Sequence, residues 1–131
     1  MAPVHGQFDI SRKDNILQIR FIGSFNEFGI KAACFELRQV IEAFNGATFL
    51  LISNYSGVEG ATPEAFDEIA KHNQWMSQRN IIAKAIITTS ETIKNIGLRR
   101  VPQGDINSKF FKCENQATQW LIEQELAFHG K

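Results

Sequence analysis

The chain has 131 residues, of which 44% are hydrophobic and 21% are charged. These values are ordinary for a globular protein, and they predict a single domain over residues 1–131 that folds without a disulfide or a metal. Lys and Arg together number 14, as do Asp and Glu, so the net charge is zero and we expect no nucleic-acid binding. No segment approaches the ~20 apolar residues of a membrane span, and the first seven residues do not resemble a signal peptide. We therefore expect a cytoplasmic protein with no integral membrane segment, in which Cys34 and Cys113 are free thiols.

The beginning of the chain predicts two strands and a helix. Apolar-rich runs on either side of a polar turn predict a hairpin of strands over Gln7–Ser11 and Ile16–Ile22, with Gly23 ending the second strand. Apolar residues then recur at helical spacing over Gly29–Phe44, which predicts an amphipathic first helix.

The middle of the chain predicts a strand, a loop, a second helix and another strand. The continuous apolar run Thr48–Ser53 is typical of a strand that is covered on both faces. Asn54–Ala61 contains two glycines and is predicted to be a loop. Helix two is expected to begin at Thr62 and to run to about Arg79, and Ile81–Thr88 is expected to form the next buried strand.

The end of the chain completes an alternating pattern of strands and helices. Thr88 and Glu91 match a capping box, so a third helix is expected to begin there and to stop near Gly97. A short strand over Ser108–Cys113 and a helix over Glu114–Phe128 follow. The order β-β-α-β-α-β-α-β-α predicts the α/β class, with a mixed, mostly parallel sheet of about five strands and four helices packed against it.

Helix two carries an aromatic side chain on its polar side. Its apolar stripe is predicted to contain Phe66, Ile69 and Met76, and Trp75 lies nearly opposite Phe66. A Trp in this position is typical of contact surfaces, although it also fits a ring packed under a loop. We expect an interaction surface on the loop before helix two and on the exposed side of that helix, comprising Asn54, Ser56, Glu59, His72, Trp75 and Arg79.

The start of helix two has two interpretations. Thr62 is a favourable N-cap, Pro63 suits the first helical position and Glu64 complements the helix dipole. The same hydroxyl is also a candidate phosphoryl acceptor, because a phosphoryl group there would meet free backbone N–H groups. Both interpretations of Thr62 remain open at this point.

The search for catalytic, cofactor-binding and metal-binding motifs is negative. His5, His72 and His129 are scattered along the chain, and the two cysteines have no zinc-ligand spacing. No nucleotide-binding or nucleophile motif is present. We therefore predict no metal, no cofactor and no catalytic residue, and a protein that is not an enzyme.

Four short segments, together with the element order, carry a resemblance to a known class of domains. They are Ile22-Gly23-Ser24, Glu59-Gly60-Ala61-Thr62-Pro63, Arg79-Asn80-Ile81-Ile82-Ala83 and Ala117-Thr118-Gln119-Trp120-Leu121. Over residues 8–126 the chain resembles the STAS domain class, and more closely the small stand-alone SpoIIAA-like proteins of bacteria. In anti-sigma-factor antagonists of this class, the resemblance implies a regulatory hydroxyl at the start of helix two, phosphorylated by a partner kinase that is also the anti-sigma factor. Gly60-Ala61-Thr62-Pro63 stands where those proteins carry an Asp-Ser-Ser-Gly-type stretch.

Three functional hypotheses follow from the sequence. The leading one is a non-enzymatic regulatory or protein-interaction module with a protein partner. The alternative is a binder of a small apolar or lipid-like ligand, which the 11 Phe residues would suit. The third is an enzyme acting through Asn54, Glu59, Thr62 or His72. Phe28 and Phe35 flank the apolar stripe of the first helix, either at the core edge or on a contact surface, and a homodimer is compatible with the latter.

Overall fold

Strands and helices alternate through residues 4–130, the part of the chain that the computed structural model describes. The elements are β1 (Gln7–Lys13), β2 (Ile16–Phe25), α1 (Glu27–Glu42), β3 (Phe49–Ala61), α2 (Pro63–Met76), β4 (Ile81–Ile87), α3 (Glu91–Arg100), β5 (Ser108–Phe111) and α4 (Glu114–His129). This is the predicted order, so the α/β class is confirmed. Residues 1–3 and 131, the ends of the predicted single domain, lie outside the described residues. None of the helices in residues 4–130 is long and apolar enough to cross a membrane.

The five strands form one sheet in the order β1-β2-β3-β4-β5. β1 pairs antiparallel with β2, and all other neighbours are parallel, as predicted. Alternating strand residues divide the core in two. Leu17 and Leu51 face α1 and α2, whereas Leu50 and Ala85 face α4. α3 lies beside α2, and Val101 at its end joins the α1–α2 side of the core.

β2 and β3 are both longer than predicted. The prediction that Gly23 ends β2 is wrong, because Gly23 takes a φ of 90° and the ladder shifts register there and continues to Phe25. The prediction of a loop over Asn54–Ala61 is also wrong. This segment is the second half of β3 and pairs with β2 as far as Phe25 and Ala61. Pairing with the extended β2 satisfies backbone groups along this polar, glycine-containing segment, which is why it forms a strand.

The beginning of α1 is fixed by a cap and by a close backbone approach. Asn26 caps the helix by accepting a hydrogen bond from the Gly29 amide at 2.9 Å, so α1 begins two residues earlier than predicted. A Cβ on Gly29 would lie 1.9 Å from the carbonyl oxygen of His5. Glycine is therefore required where the N-terminal segment crosses the helix.

α3 differs from its predicted bounds at both ends. The predicted capping box of Thr88 and Glu91 is wrong: Ser90 is the N-cap and accepts from the Ile93 amide at 3.1 Å. Thr88 instead accepts from the Ser90 amide at 3.1 Å. The helix also continues past Gly97 to Arg100, because a single glycine in a helix interior is unfavourable but tolerated.

Candidate functional site

Thr62 lies at the junction between β3 and α2. Its side chain accepts a hydrogen bond from the Ala65 amide at 3.2 Å, and its own amide donates to the Phe25 carbonyl at 3.0 Å. Pro63 occupies the first helical position, where no intrahelical donor is lost. The predicted cap is confirmed, and Thr62 is exposed at the surface.

Ser56 and Glu59 are also exposed, on the half of β3 that precedes Thr62. The predicted exposure of Asn54 is wrong, since only 6% of this residue is exposed. Its side-chain oxygen accepts from the Ser56 amide at 3.0 Å and from the Ser56 hydroxyl at 2.6 Å. Asn54 therefore acts inside the chain, by holding the backbone at Ser56 in place.

Trp75 and Arg79 lie at the opposite end of α2 from Thr62. Trp75 follows Thr62 by thirteen positions, which corresponds to about 20 Å along a helix. The structure therefore does not bring Trp75 and Arg79 together with Ser56, Glu59 and Thr62 into one continuous surface.

His72 was expected on the exposed side of helix two, and this expectation is wrong. The residue is 5% exposed, and Nδ1 accepts a hydrogen bond from Nε of Arg38 at 3.4 Å. The buried side of α2 is rotated by about one residue from the predicted stripe, so that Ala65 and His72 are buried while Phe66 is only half-buried. Burial, followed by the charges of Lys84 and Arg38, lowers the pKa of His72 to about 3, so the ring is neutral at pH 7.

Trp75 is half-buried and is enclosed by the chain's own side chains. The guanidinium carbons of Arg38 and Arg79 lie 5.0 Å and 4.2 Å from the centre of its ring. Arg79 is held in turn by an ion pair with Glu42 at 3.0 Å. Trp75 is therefore only partly available as a contact surface, because two arginines of the same chain already cover its ring through cation–π contacts.

Lys84 is a buried charge that sequence reasoning missed. It lies in β4, is 2% exposed, and its ammonium donates to Oδ1 of Asn73 at 2.9 Å and to Oε1 of Gln103 at 3.0 Å. Removal from water lowers its pKa to about 8. The signal in the sequence was a lysine in the centre of the run Ile-Ile-Ala-Lys-Ala-Ile-Ile, where a charge does not suit a strand covered on both faces.

A cavity of ≈ 50 Å³ lies next to Lys84, between α2, α3 and the sheet, and we call it the α3 pocket. Its walls are mostly apolar and include Phe21, Phe25, Phe66, Ile93, Val101 and Phe110. Lys84, Gln103 and Tyr55 contribute polar groups. Burial also raises the pKa of the Tyr55 hydroxyl, so the ring stays neutral over the physiological range.

Neither a metal-binding cluster nor a reactive Cys34 thiol is found in residues 4–130. No group of three or more His, Cys, Asp or Glu side chains in residues 4–130 could hold a metal ion. Burial raises the pKa of the Cys34 thiol to about 12, which makes it a poor nucleophile at neutral pH.

No protein-family model and no curated protein sequence matches the chain. Solved structures do match it over most of its length. One is an uncharacterised protein of the DUF3478 family with a SpoIIAA-like fold from Shewanella loihica PV-4, with 15% identity, a TM-score of 0.65, and coverage of 92% of this chain and 98% of that one. The chain has the SpoIIAA-like fold.

Two further structures that match the chain in fold are anti-sigma factor antagonists. SpoIIAA in its unphosphorylated form is 10% identical, with a TM-score of 0.62 and coverage of 89% of this chain and 98% of that one. An antagonist from Mycobacterium paratuberculosis is 14% identical, with a TM-score of 0.63 and coverage of 92% and 97%. The resemblance seen in the sequence is therefore confirmed for the fold. Within this SpoIIAA-like fold, Thr62 is the N-cap of α2 and Lys84 lies in the central part of β4.

Proposed function

We propose that this chain is a non-enzymatic regulatory module that binds a protein partner through the start of α2 and the exposed face of α1. The observation that carries the proposal is a pair of aromatic side chains, Phe28 and Phe35, which are 36% and 64% exposed on α1. Phe has no polar tip that would favour water, so aromatic side chains left at a surface are typical of contact sites. Two of the similar structures are named as antagonists of anti-sigma factors, which supports a regulatory protein as the partner.

The exposed face of α1 adjoins the Thr62 cap. Phe28 and Phe35 are spaced i, i+7 and share one side of the helix, with Lys31 between them. The Thr62 amide bonds to the Phe25 carbonyl just before α1, and Lys31 lies 4.0 Å from Glu68 of α2. Thr62 therefore lies beside the start of α1, the helix that carries the exposed Phe28 and Phe35, and this supports a contact surface that includes both elements.

Cross-linking in the native host tests this surface, with a matched control. We expect a specific cross-linked protein to be lost when Phe35→Ser removes the exposed ring. Leu126→Ser should retain it, since Leu126 is 69% exposed but lies on α4, across the sheet. If Phe35→Ser still cross-links to the same protein, the exposed face of α1 is not the contact surface. Native mass spectrometry of the purified chain would show a homodimer instead, if the partner is a second copy.

A regulatory phosphoryl group on Thr62 is a separable part of the proposal. The hydroxyl is exposed and already accepts from the Ala65 amide at the start of α2, the positive end of the helix dipole, which favours an anion. Glu59 and Glu64 lie close in sequence and would oppose the added charge, so the modification would change both the cap and the local field. Mass spectrometry of protein from the native host should detect one phosphoryl group on Thr62 in at least one growth condition. Its persistent absence, with a fully functional Thr62→Ala variant, would end this part of the proposal.

A further inference from the structure

The buried charge of Lys84 has no ion-pair partner among the residues that the structure describes. Within residues 4–130 its hydrogen bonds go to two neutral amide oxygens, on Asn73 and Gln103, and none of the ion pairs includes it. Because its pKa is about 8, the amine is still mostly protonated at pH 7. A buried cation with no anion nearby is unfavourable unless a ligand supplies the anion.

The hydrogen-bonding capacity around Lys84 is only partly used. An ammonium has three N–H donors, and two of them are taken by Asn73 and Gln103. The side-chain amide of Gln103 donates one N–H to the Val101 carbonyl at 3.2 Å and has a second one. Lys84 and Gln103 both line the α3 pocket, so one donor from each could serve the two oxygens of a carboxylate.

The other walls of the α3 pocket restrict what can accompany the anion. They are formed largely by aromatic and aliphatic side chains from the sheet, α2 and α3. The ≈ 50 Å³ of the pocket is well above the about 10–15 Å³ that a single water needs, so the pocket has room for a small ligand. A phosphate group would offer these apolar walls nothing to contact, whereas a carboxylate with a short hydrocarbon chain matches both parts of the pocket.

We propose that the α3 pocket binds a short-chain aliphatic monocarboxylate, with the carboxylate on Lys84 and Gln103 and the hydrocarbon chain against Phe66 and Phe110. The residues that line the pocket include neither Thr62 nor the exposed Phe28 and Phe35, so the proposal does not rest on the protein-binding function. Gly97 lies in the wall formed by α3, next to the Phe110 ring, and leaves space for the chain.

Isothermal titration calorimetry of the full chain tests the role of the charge. Butanoate is the probe, and butan-1-ol is its uncharged counterpart. We expect the wild type to bind butanoate. Its affinity for butan-1-ol should be lower by at least about tenfold, because the alcohol loses the hydrogen bond between two charged groups. Lys84→Met should weaken butanoate binding by about tenfold or more, whereas Lys109→Met, which removes an exposed lysine, should leave it unchanged.

Gly97→Ala tests the location independently of the charge. The added Cβ would lie 3.6 Å from the Phe110 ring, an ordinary contact, and alanine favours a helix by about 1 kcal/mol, so this variant should fold. The added methyl group narrows the pocket and should weaken butanoate binding several-fold. This test does not require that Lys84→Met folds. Three results would each overturn the proposal: no binding of acetate, butanoate or hexanoate by the wild type, equal binding of butan-1-ol and butanoate, or unchanged butanoate binding in Gly97→Ala.

Discussion

Replacing Lys84 by Met should change how the stability of the protein depends on pH. Burial lowers the pKa of Lys84 from 10.5 to about 8 in the folded chain, whereas the unfolded chain keeps the ordinary value. Between pH 8 and 10.5 the unfolded chain therefore holds a proton that the folded chain has released, and stability rises with pH through this window. One pKa unit corresponds to about 1.4 kcal/mol, so Lys84 should contribute a rise of about 3 kcal/mol across the window.

At pH 7.5 the same substitution has two opposing effects. It removes the unfavourable burial of a charge, but it leaves Asn73 and Gln103 without their donor, which costs about 1–3 kcal/mol for a buried acceptor. The effects nearly cancel, so we expect a net change of no more than about 2 kcal/mol at this pH. The charge of Lys84 therefore shows itself in the pH dependence rather than in the stability at neutral pH.

Urea denaturation of the two proteins at pH 7.5 and 10.5 measures this difference. Burial raises the pKa values of Cys34 and Tyr55, which lowers the stability of both proteins above about pH 9 to 10, so only the difference between the proteins is informative. Relative to Lys84→Met, the wild type should gain about 3 kcal/mol of unfolding free energy between the two pH values. Lys109→Met serves as the control and should follow the wild type. An equal stability difference at both pH values would refute the argument that Lys84 is a desolvated cation.

Four further substitutions test the local structure. Thr62→Ala and Ser90→Ala each remove one N-cap hydrogen bond, of 3.2 Å and 3.1 Å respectively. Urea denaturation should show that each substitution lowers the free energy of unfolding by about 1 kcal/mol. A much larger decrease for one of them would contradict equivalent capping roles. His72 has a lowered pKa of about 3, so the wild type should lose on the order of 5 kcal/mol as the pH falls from 6.5 towards 3. His72→Asn should lose clearly less over this range, and identical acid denaturation curves would exclude the buried neutral ring. Trp75→Ala should lower the free energy of unfolding by about 2 kcal/mol, as measured by thermal or urea denaturation, because the ring is half-buried against the core. An unchanged free energy of unfolding would instead place the ring in solvent.

Much of the fold could be predicted because it depends on local patterns. The apolar spacing of Ile30, Ala33, Leu37 and Ile41 predicts the buried side of α1, and all four are buried. The alternation of Leu17, Ile19 and Phe21 likewise predicts the inner face of β2. These patterns follow from the helical and strand repeats themselves and need no information about which element packs against them.

The candidate site depended on contacts between distant parts of the chain. Asn54–Ala61 looks like a loop by itself and becomes a strand only because β2 extends beside it. The exposure of His72 depended on how α2 is rotated against α1, where Arg38 supplies a partner for a buried ring. Neither the strand pairing nor the rotation of the helix can be read from a sequence window, because both depend on the surfaces that the other elements present.

The amino-acid sequence by itself determined the order of the elements, the faces of β2 and α1, and the cap at Thr62, because each rests on residues close together in the chain. Only the tertiary structure decided that Lys84 is buried next to an apolar pocket. Its two hydrogen-bond partners lie 11 and 19 residues away, on α2 and in the connection after α3. A lysine can be held in an apolar strand only when such partners reach it, and that depends on the packing of the helices over the sheet.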